Sequence, residues 1–161
     1  MNIKIRQATK KDITFLWDML YEAIYVGEGE VRPPRSILDK PELAHSVENW
    51  GRHGDHALIA IDSDDNKVGA IWIRLFSEQN KTYGYVNENI PILSMAILPK
   101  YRGKGIGTRL IQEICTLAKI NGYKAVSLSV DPANPALRLY ERFNFKKIGV
   151  DGTSWDMKAN L

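Results

Sequence analysis

Cysteine is almost missing: Cys115 is the only one in 161 residues. A lone thiol cannot close an intrachain disulfide, so the fold does not rely on an oxidising compartment. Its place in an apolar helical stretch reads as a small core residue, not a nucleophile. No apolar run reaches the roughly 18 residues of a membrane-spanning helix. Met1 to Lys11 alternates apolar and charged residues and lacks the apolar centre of a secretion signal, so a cytoplasmic protein is expected. Charge imbalance is also slight, with a formal net charge of +3. Lys and Arg are scattered and form no basic aromatic stripe, which sets nucleic acid aside as a partner. His45, His53 and His56 have no Cys or carboxylate companions at ligand spacing, so no metal is expected. Internal repeats, low-complexity segments and an interdomain linker are all missing.

What is present is an ordinary globular composition, 44% hydrophobic and 25% charged. The length suits one domain over residues 1–161 with one sizeable core. Ile3-Lys4-Ile5-Arg6 alternates with period two and reads as a strand. Thr9 and Asp12 form a variant capping box ahead of a helix over about residues 10–25, its apolar stripe being Ile13, Leu16, Trp17, Leu20 and Ile24. Residues 26–40 hold Gly27, Gly29, Pro33 and Pro34 and read as a long loop, of a length often functional. A short helix follows from Pro41 to Trp50.

His56–Ile61 and Val68–Phe76 are strands about the polar turn Asp62–Asn66, and Ser77–Tyr85 is a second loop. The nearly unbroken apolar run Ile90–Leu98 is that of a central strand buried on both faces. Ile106–Ile120 is a strongly amphipathic helix, with Ile106, Leu110, Ile114, Leu117 and Ala118 on one stripe. Asn121-Gly122 closes it as a left-handed cap. Ala125–Val130 is a strand, Pro135–Phe143 a helix, and Lys146–Val150 and Ser154–Lys158 are closing strands. The order β-α-α-β-β-β-α-β-α-β-β is that of an α/β or α+β sheet with helices on its faces.

The chemistry-bearing segment runs from Leu93 to Leu110. A buried strand stops at Pro99, then Gly103, Gly105 and Gly107 recur at alternate positions, and a helix begins at once. Glycine lets backbone approach a ligand closely. The helix start offers unpaired N–H groups and the positive end of its dipole. Together they make an anion site suited to a diphosphate, with Arg102 and Lys104 adding charge. The spacing excludes a Walker loop, and the third glycine comes one residue too early for a dinucleotide fingerprint.

Arg102, Gly105 and Gly107 match the Arg/Gln-x-x-Gly-x-Gly/Ala signature, and the stretch Val130 to Phe145 matches a second signature, of the GNAT superfamily of acetyl-CoA-dependent N-acetyltransferases. The chain resembles that family in element order across nearly its whole length. The resemblance implies a mixed, mostly antiparallel sheet with splayed parallel fourth and fifth strands and about four flanking helices. It implies transfer of acetyl from acetyl-CoA to a primary amine of a small molecule or peptide, by direct attack in a ternary complex. The backbone of Met95, Ala96 and Ile97 would pair with pantetheine. Amides of Arg102, Gly103, Lys104, Gly105, Ile106, Gly107 and Thr108 would hold the pyrophosphate. Asn134 would bond the cofactor, and Tyr140 would stand near its sulfur as general acid. The other reading of Tyr140 is a helix residue packed on the sheet, and of Asn134 a helix N-cap.

Two positions depart from the family pattern. The strand position that often carries a Glu base is Pro91 here; the nearest carboxylate is Glu88, in phase only if a bulge intervenes. Asn144 replaces a Gly, a change the left-handed conformation tolerates. Tyr25, Glu28, Glu30, Trp72, Tyr83, Tyr85 and Glu88 are the acceptor-site candidates, acidic and aromatic groups suiting a cationic amine. Trp17 and Trp50 read as packing residues. A homodimer is left open. The alternative reading is a catalytically silent acyl-CoA-binding or regulatory module.

Overall fold

The computed structural model describes residues 2–161. Its strands are β1 (Lys4–Gln7), β2 (His56–Ile61), β3 (Lys67–Arg74), β4 (Ile92–Ile97), β5 (Ala125–Val130), β6 (Lys146–Asp151) and β7 (Ser154–Asn160). Its helices are α1 (Ile13–Glu22), α2 (Pro41–Ala44), α3 (Ile106–Ile120) and α4 (Ala136–Arg142). One seven-stranded sheet runs in the order β1-β2-β3-β4-β5-β7-β6. Every neighbouring pair is antiparallel except β4 and β5, which are parallel. No helix among the described residues is long and apolar enough to cross a membrane.

Each face of the sheet has its own core because strand side chains alternate. On one face α3 buries Ile106, Leu110, Ile111, Ile114 and Ala118 against Ile71, Ile73, Leu93, Val126 and Leu128. On the other, α1 buries Leu16, Met19 and Leu20 against Ile59, Ala70, Trp72 and Ala96. Each fully buried Leu or Ile contributes roughly 1.5–3 kcal/mol. The two cores grip β3 and β4 from both sides, which explains the unbroken apolar sequence there.

Several sequence expectations need correcting. The helix expected over 10–25 is a 3-10 turn at Lys10–Asp12 followed by α1, which stops at Glu22. The helix expected from Pro41 to Trp50 is the single turn α2. β3 ends at Arg74, not Phe76: Arg74 still pairs with Ile92 on β4, and its side chain enters a buried ion pair. Its Nε and Nη2 meet Asp55 at 3.0 Å each, and its Nη1 donates to the carbonyls of His45 (2.8 Å) and Glu48 (2.6 Å). β4 starts at Ile92: Pro91 has no N–H to donate and offers only its carbonyl, to Ser127 N–H at 3.1 Å. β7 extends past Lys158 to Asn160, which pairs with Ala125. The expected caps form: Gly122 and Asn144 both take positive φ, 86° and 66°.

The Thr9–Asp12 box is more than a cap. Asp12 Oδ2 accepts from Thr9 N–H at 2.7 Å, and its two oxygens meet Arg6 at 2.7 and 3.0 Å. Lys67 Nζ adds a third cationic contact at 2.6 Å. This fully buried carboxylate ties β1, β3 and the entry to α1 together. The Arg6 guanidinium, ahead of Lys67 and the Thr9 amide, holds its carboxyl well below the usual carboxylate range. A depressed folded value means the stabilisation is present above the unfolded pKa of about 4 and is lost as pH falls below it. Asp12→Asn is expected to cost about 3 kcal/mol at pH 7. The variant should also lose less stability than wild type between about pH 5 and 2, as urea unfolding across that range would show.

Candidate active site

β4 and β5 touch at one rung only. Ile92 pairs with Ser127, and beyond it no pairing links the two strands. β4 meanwhile stays fully registered with β3, and β5 with β7. The strands therefore separate over Leu93–Ile97 and Leu128–Val130, leaving backbone polar groups facing a cleft. Such groups demand partners.

The cleft opens onto the glycine loop. Pro99–Tyr101 makes a 3-10 turn, Gly103 and Gly105 take φ of 73° and 84°, and α3 begins at Ile106. The first α3 hydrogen bond from this turn is Arg109 N–H to Gly105 O at 3.3 Å. No side chain caps the helix. The amides of Gly103 to Thr108 are thus left toward the loop, as helix N-termini leave them. A Cβ at Gly103 or Gly105 would meet nothing within 4 Å, so these glycines are required by φ, not by crowding. Gly107 is the reverse case. A Cβ there would lie 3.0 Å from Leu139 Cδ2 and 3.3 Å from Ile97 Cδ1, so its bareness lets α3 close on β4 and α4.

Arg102 differs from its expected part. Its N–H is already taken by Pro99 O at 3.2 Å, while its Nε donates to Ile97 O at 2.9 Å, bracing the loop against the strand end. Its Nη2 lies 3.6 Å from Glu22 Oε2, and Glu22 also holds Arg32 at 2.8 Å, linking the loop to α1 and to the segment over 26–40. A second brace went unread in the sequence: Tyr101 OH donates to Asp62 Oδ2 at 2.9 Å, tying the loop to the β2–β3 turn. Lys104 is exposed.

Asn134 stands one residue before the N-cap of α4, which is Pro135. Its Oδ1 accepts from Ala136 N–H at 3.0 Å, opening α4, and this leaves the side-chain NH2 available. Tyr140 is buried, its ring edge-on to Phe145 with centroids 5.7 Å apart. Burial pushes its phenol well above the usual tyrosine range.

The opposite face of the cleft is built from β5 and β7. Val126, Leu128 and Val130 point to α3, so Ser127 and Ser129 point the other way. The loop between β3 and β4 closes over them. Ser127 Oγ donates to Gly84 O at 2.8 Å, and a Cβ at Gly84 would strike Leu128 C at 2.8 Å and Ser129 N at 3.0 Å. Tyr83 and Tyr85, which flank Gly84, are thereby held beside the splayed part of β5. Trp72 is not available to a ligand: it is buried and its Nε1 donates to Ser46 O at 3.1 Å. Glu88 lies in an exposed turn over Asn87–Ile90, lining a shallow depression with Asn121 to Ala125 at the start of β5. The structure does not bring it together with Tyr140. Tyr25 is half-buried and Glu28 and Glu30 are exposed.

Sequence reading passed over Asp156. It pairs with Ser129 on β5 and with Gly149 on β6, on the Ser129 face of the sheet. Among the described residues its Oδ1 is the buried side-chain oxygen without a hydrogen-bond partner. The alternation of β7 could have put it on a face, but only the strand order puts it next to Ser129 on the cleft-edge strand β5.

The site thus joins a parallel-strand cleft with unpaired backbone to a glycine loop and an uncapped helix start. The chain matches the Acetyltransferase (GNAT) family over residues 17–145 and belongs to that family; it is an N-acetyltransferase that uses acetyl-CoA. It is 29% identical over 150 residues to the SPbeta prophage-derived uncharacterized N-acetyltransferase YokL of Bacillus subtilis, spanning 92% of this chain and 78% of that protein. A GNAT-family acetyltransferase from Staphylococcus aureus Mu50 shares the fold with a TM-score of 0.72 at 20% identity, over 99% of both chains. The PaiA N-acetyltransferase of Thermoplasma acidophilum, solved with coenzyme A, shares it with a TM-score of 0.66 at 22% identity, over 100% of both chains.

Gly107→Val is expected to weaken coenzyme A binding by about tenfold or more, equivalent to about 1.4 kcal/mol. Lys104→Ala, removing only an exposed charge, should cost under about 1 kcal/mol. Titration calorimetry on both variants checks the contrast.

Proposed function

We propose that the chain moves the acetyl group of acetyl-CoA onto a primary amine by direct attack, with both substrates bound at once. The observation that carries this is the single rung between β4 and β5 with the glycine cradle at its open end. In this reading the backbone of Met95, Ala96 and Ile97 completes its pairing with the pantetheine amides. The amides from Gly103 to Thr108 receive the pyrophosphate, and the Asn134 side-chain NH2 donates to the arm. A β4 N–H aimed at the thioester carbonyl stabilises the oxyanion, a contribution of about 3 kcal/mol. Tyr140 gives its proton to the departing thiolate. Its raised pKa keeps the phenol in the protonated form that a proton donor needs. Glu88, exposed in the turn before β4 and bordering the start of β5, is assigned no proton transfer. All these residues come from one chain, so the reading does not require a homodimer.

The acceptor side follows from what borders Ser129. Tyr83 and Tyr85 offer aromatic faces, and their neighbourhood is acidic: burial, then Glu78 and Glu88, raise the Tyr85 phenol. Such a surface suits a cationic amine.

Coenzyme A release measured with acetyl-CoA against spermidine, L-lysine, an aminoglycoside and a peptide with a free α-amino terminus tests the reading. Turnover with at least one of them is expected. Tyr140→Phe should lower kcat by about 10²-fold while shifting coenzyme A affinity by less than about twofold. No turnover with any of the four, or an unchanged kcat in the variant, would contradict the mechanism.

A further inference from the structure

The family's usual base position is a proline here, yet a protonated amine cannot attack a thioester. An aliphatic amine near pKa 10 must first lose a proton. The site needs a proton acceptor on the side of the cleft away from Tyr140.

The sheet supplies one. Ser129 lies beyond the one rung that joins β5 to β4, within the separated stretch. Asp156 stands directly across from Ser129 on the next strand, so its backbone is one strand spacing, about 4.8 Å, from the cleft edge. Both point away from the α3 core, because the alternating residues Leu128 and Met157 are the ones buried in it. Tyr140 belongs to that α3 core. Acid and carboxylate therefore approach the cleft from opposite faces of the sheet.

The ground around Asp156 is bare. Its neighbour on one side is the small Ser129 and on the other Gly149, which has no side chain. A Cβ at Gly149 would already be 3.9 Å from Asp156 Oδ2. No lysine or arginine among the described residues pairs with Asp156, although Lys158 lies two positions along the same face. A carboxylate oxygen shut off from solvent without a donor is costly, about 1–3 kcal/mol, and native chains keep few such groups without a use. An incoming ammonium would supply the missing donor.

We infer that Asp156 is the carboxylate that binds the acceptor ammonium and takes its proton, which makes it a catalytic residue of the reaction. This rests on the acetyl transfer proposed above. The proton balance is complete. Asp156 takes one proton from R-NH3+ and later releases it to solvent. The freed nitrogen lone pair forms the C–N bond to the thioester carbon. The C–S bond breaks with its electron pair on sulfur, which receives the Tyr140 proton. The second proton leaving nitrogen restores the Tyr140 phenol. Burial, with Asp151 adding to it, raises the Asp156 carboxyl toward the range of a working base.

Asp156→Asn keeps shape and removes the base. Because Asp156 makes no structural bond through Oδ1, the amide variant should fold with a Tm equal to or above wild type and bind coenzyme A within about twofold of wild type. Its kcat/KM for whichever of spermidine, L-lysine, the aminoglycoside or the peptide wild type acetylates best should fall by about 10²-fold or more. A kcat/KM within about threefold of wild type, under 1 kcal/mol, would overturn the assignment, as would failure of the variant to fold. Wild type that binds no coenzyme A would instead overturn the acetyl-transfer reading itself, and calorimetry on wild type separates the two.

Discussion

One rung holds the site together. Ile92 and Ser127 join β4 to β5, and the ladder stops there. The two cores keep the strands from closing further along. α1 packs on β4 from one face, and α3 meets β3 and β4 from the other. On the α1 side the bond from Ser127 to Gly84 O pins the β3–β4 loop across β5. Without the rung the strands would have no common register; with a full ladder there would be no cleft. The unpaired strand edge is a liability in most sheets, inviting adventitious strands. Here it faces the neighbouring strand across the gap that the single rung leaves open.

In the proposed reading the cofactor end works through backbone more than through side chains. Arg102 and Lys104 are exposed, and exposed ion pairs are worth about 0–1 kcal/mol. Hydrogen bonds from fixed amides to a charged oxygen contribute about 1.5–3 kcal/mol each, and the helix dipole adds up to about 2 kcal/mol in a partly buried geometry. Several such amides outweigh both cations. That ordering explains the glycine spacing. Gly103 and Gly105 supply positive φ, and Gly107 supplies close packing so that the helix start lies over the strand end. Arg102 and Tyr101 then serve as braces, one to Ile97 O and one to Asp62.

Local features were legible in the sequence and long-range ones were not. The loop from Pro99 to Thr108, the α3 stripe and the left-handed caps at Gly122 and Asn144 depend on neighbours within a few residues. Periodicity and turn chemistry reveal such features. Trp72 was misread as an acceptor residue because alternation gives a face but not its cover; the loop after α2 covers it through Ser46. Arg74 looked like the penultimate stretch of a strand, whereas its partners Asp55, His45 and Glu48 come from a connection whose path no local pattern records. Asp156 was missed for the same reason: its position beside Ser129 exists only through the order β5-β7-β6.

In the proposed reaction acid and base stand on opposite faces of one sheet, with the reacting carbon in the gap between them. Such a division needs the ligand to enter the sheet plane as a strand does. Amide hydrogen exchange with and without acetyl-CoA is the most direct test. Peptides covering residues 93–98 and 102–109 are predicted to slow together on binding, while those of β1 and β6 stay unchanged. Heat of binding accompanied by unchanged exchange in both of those segments would contradict the account.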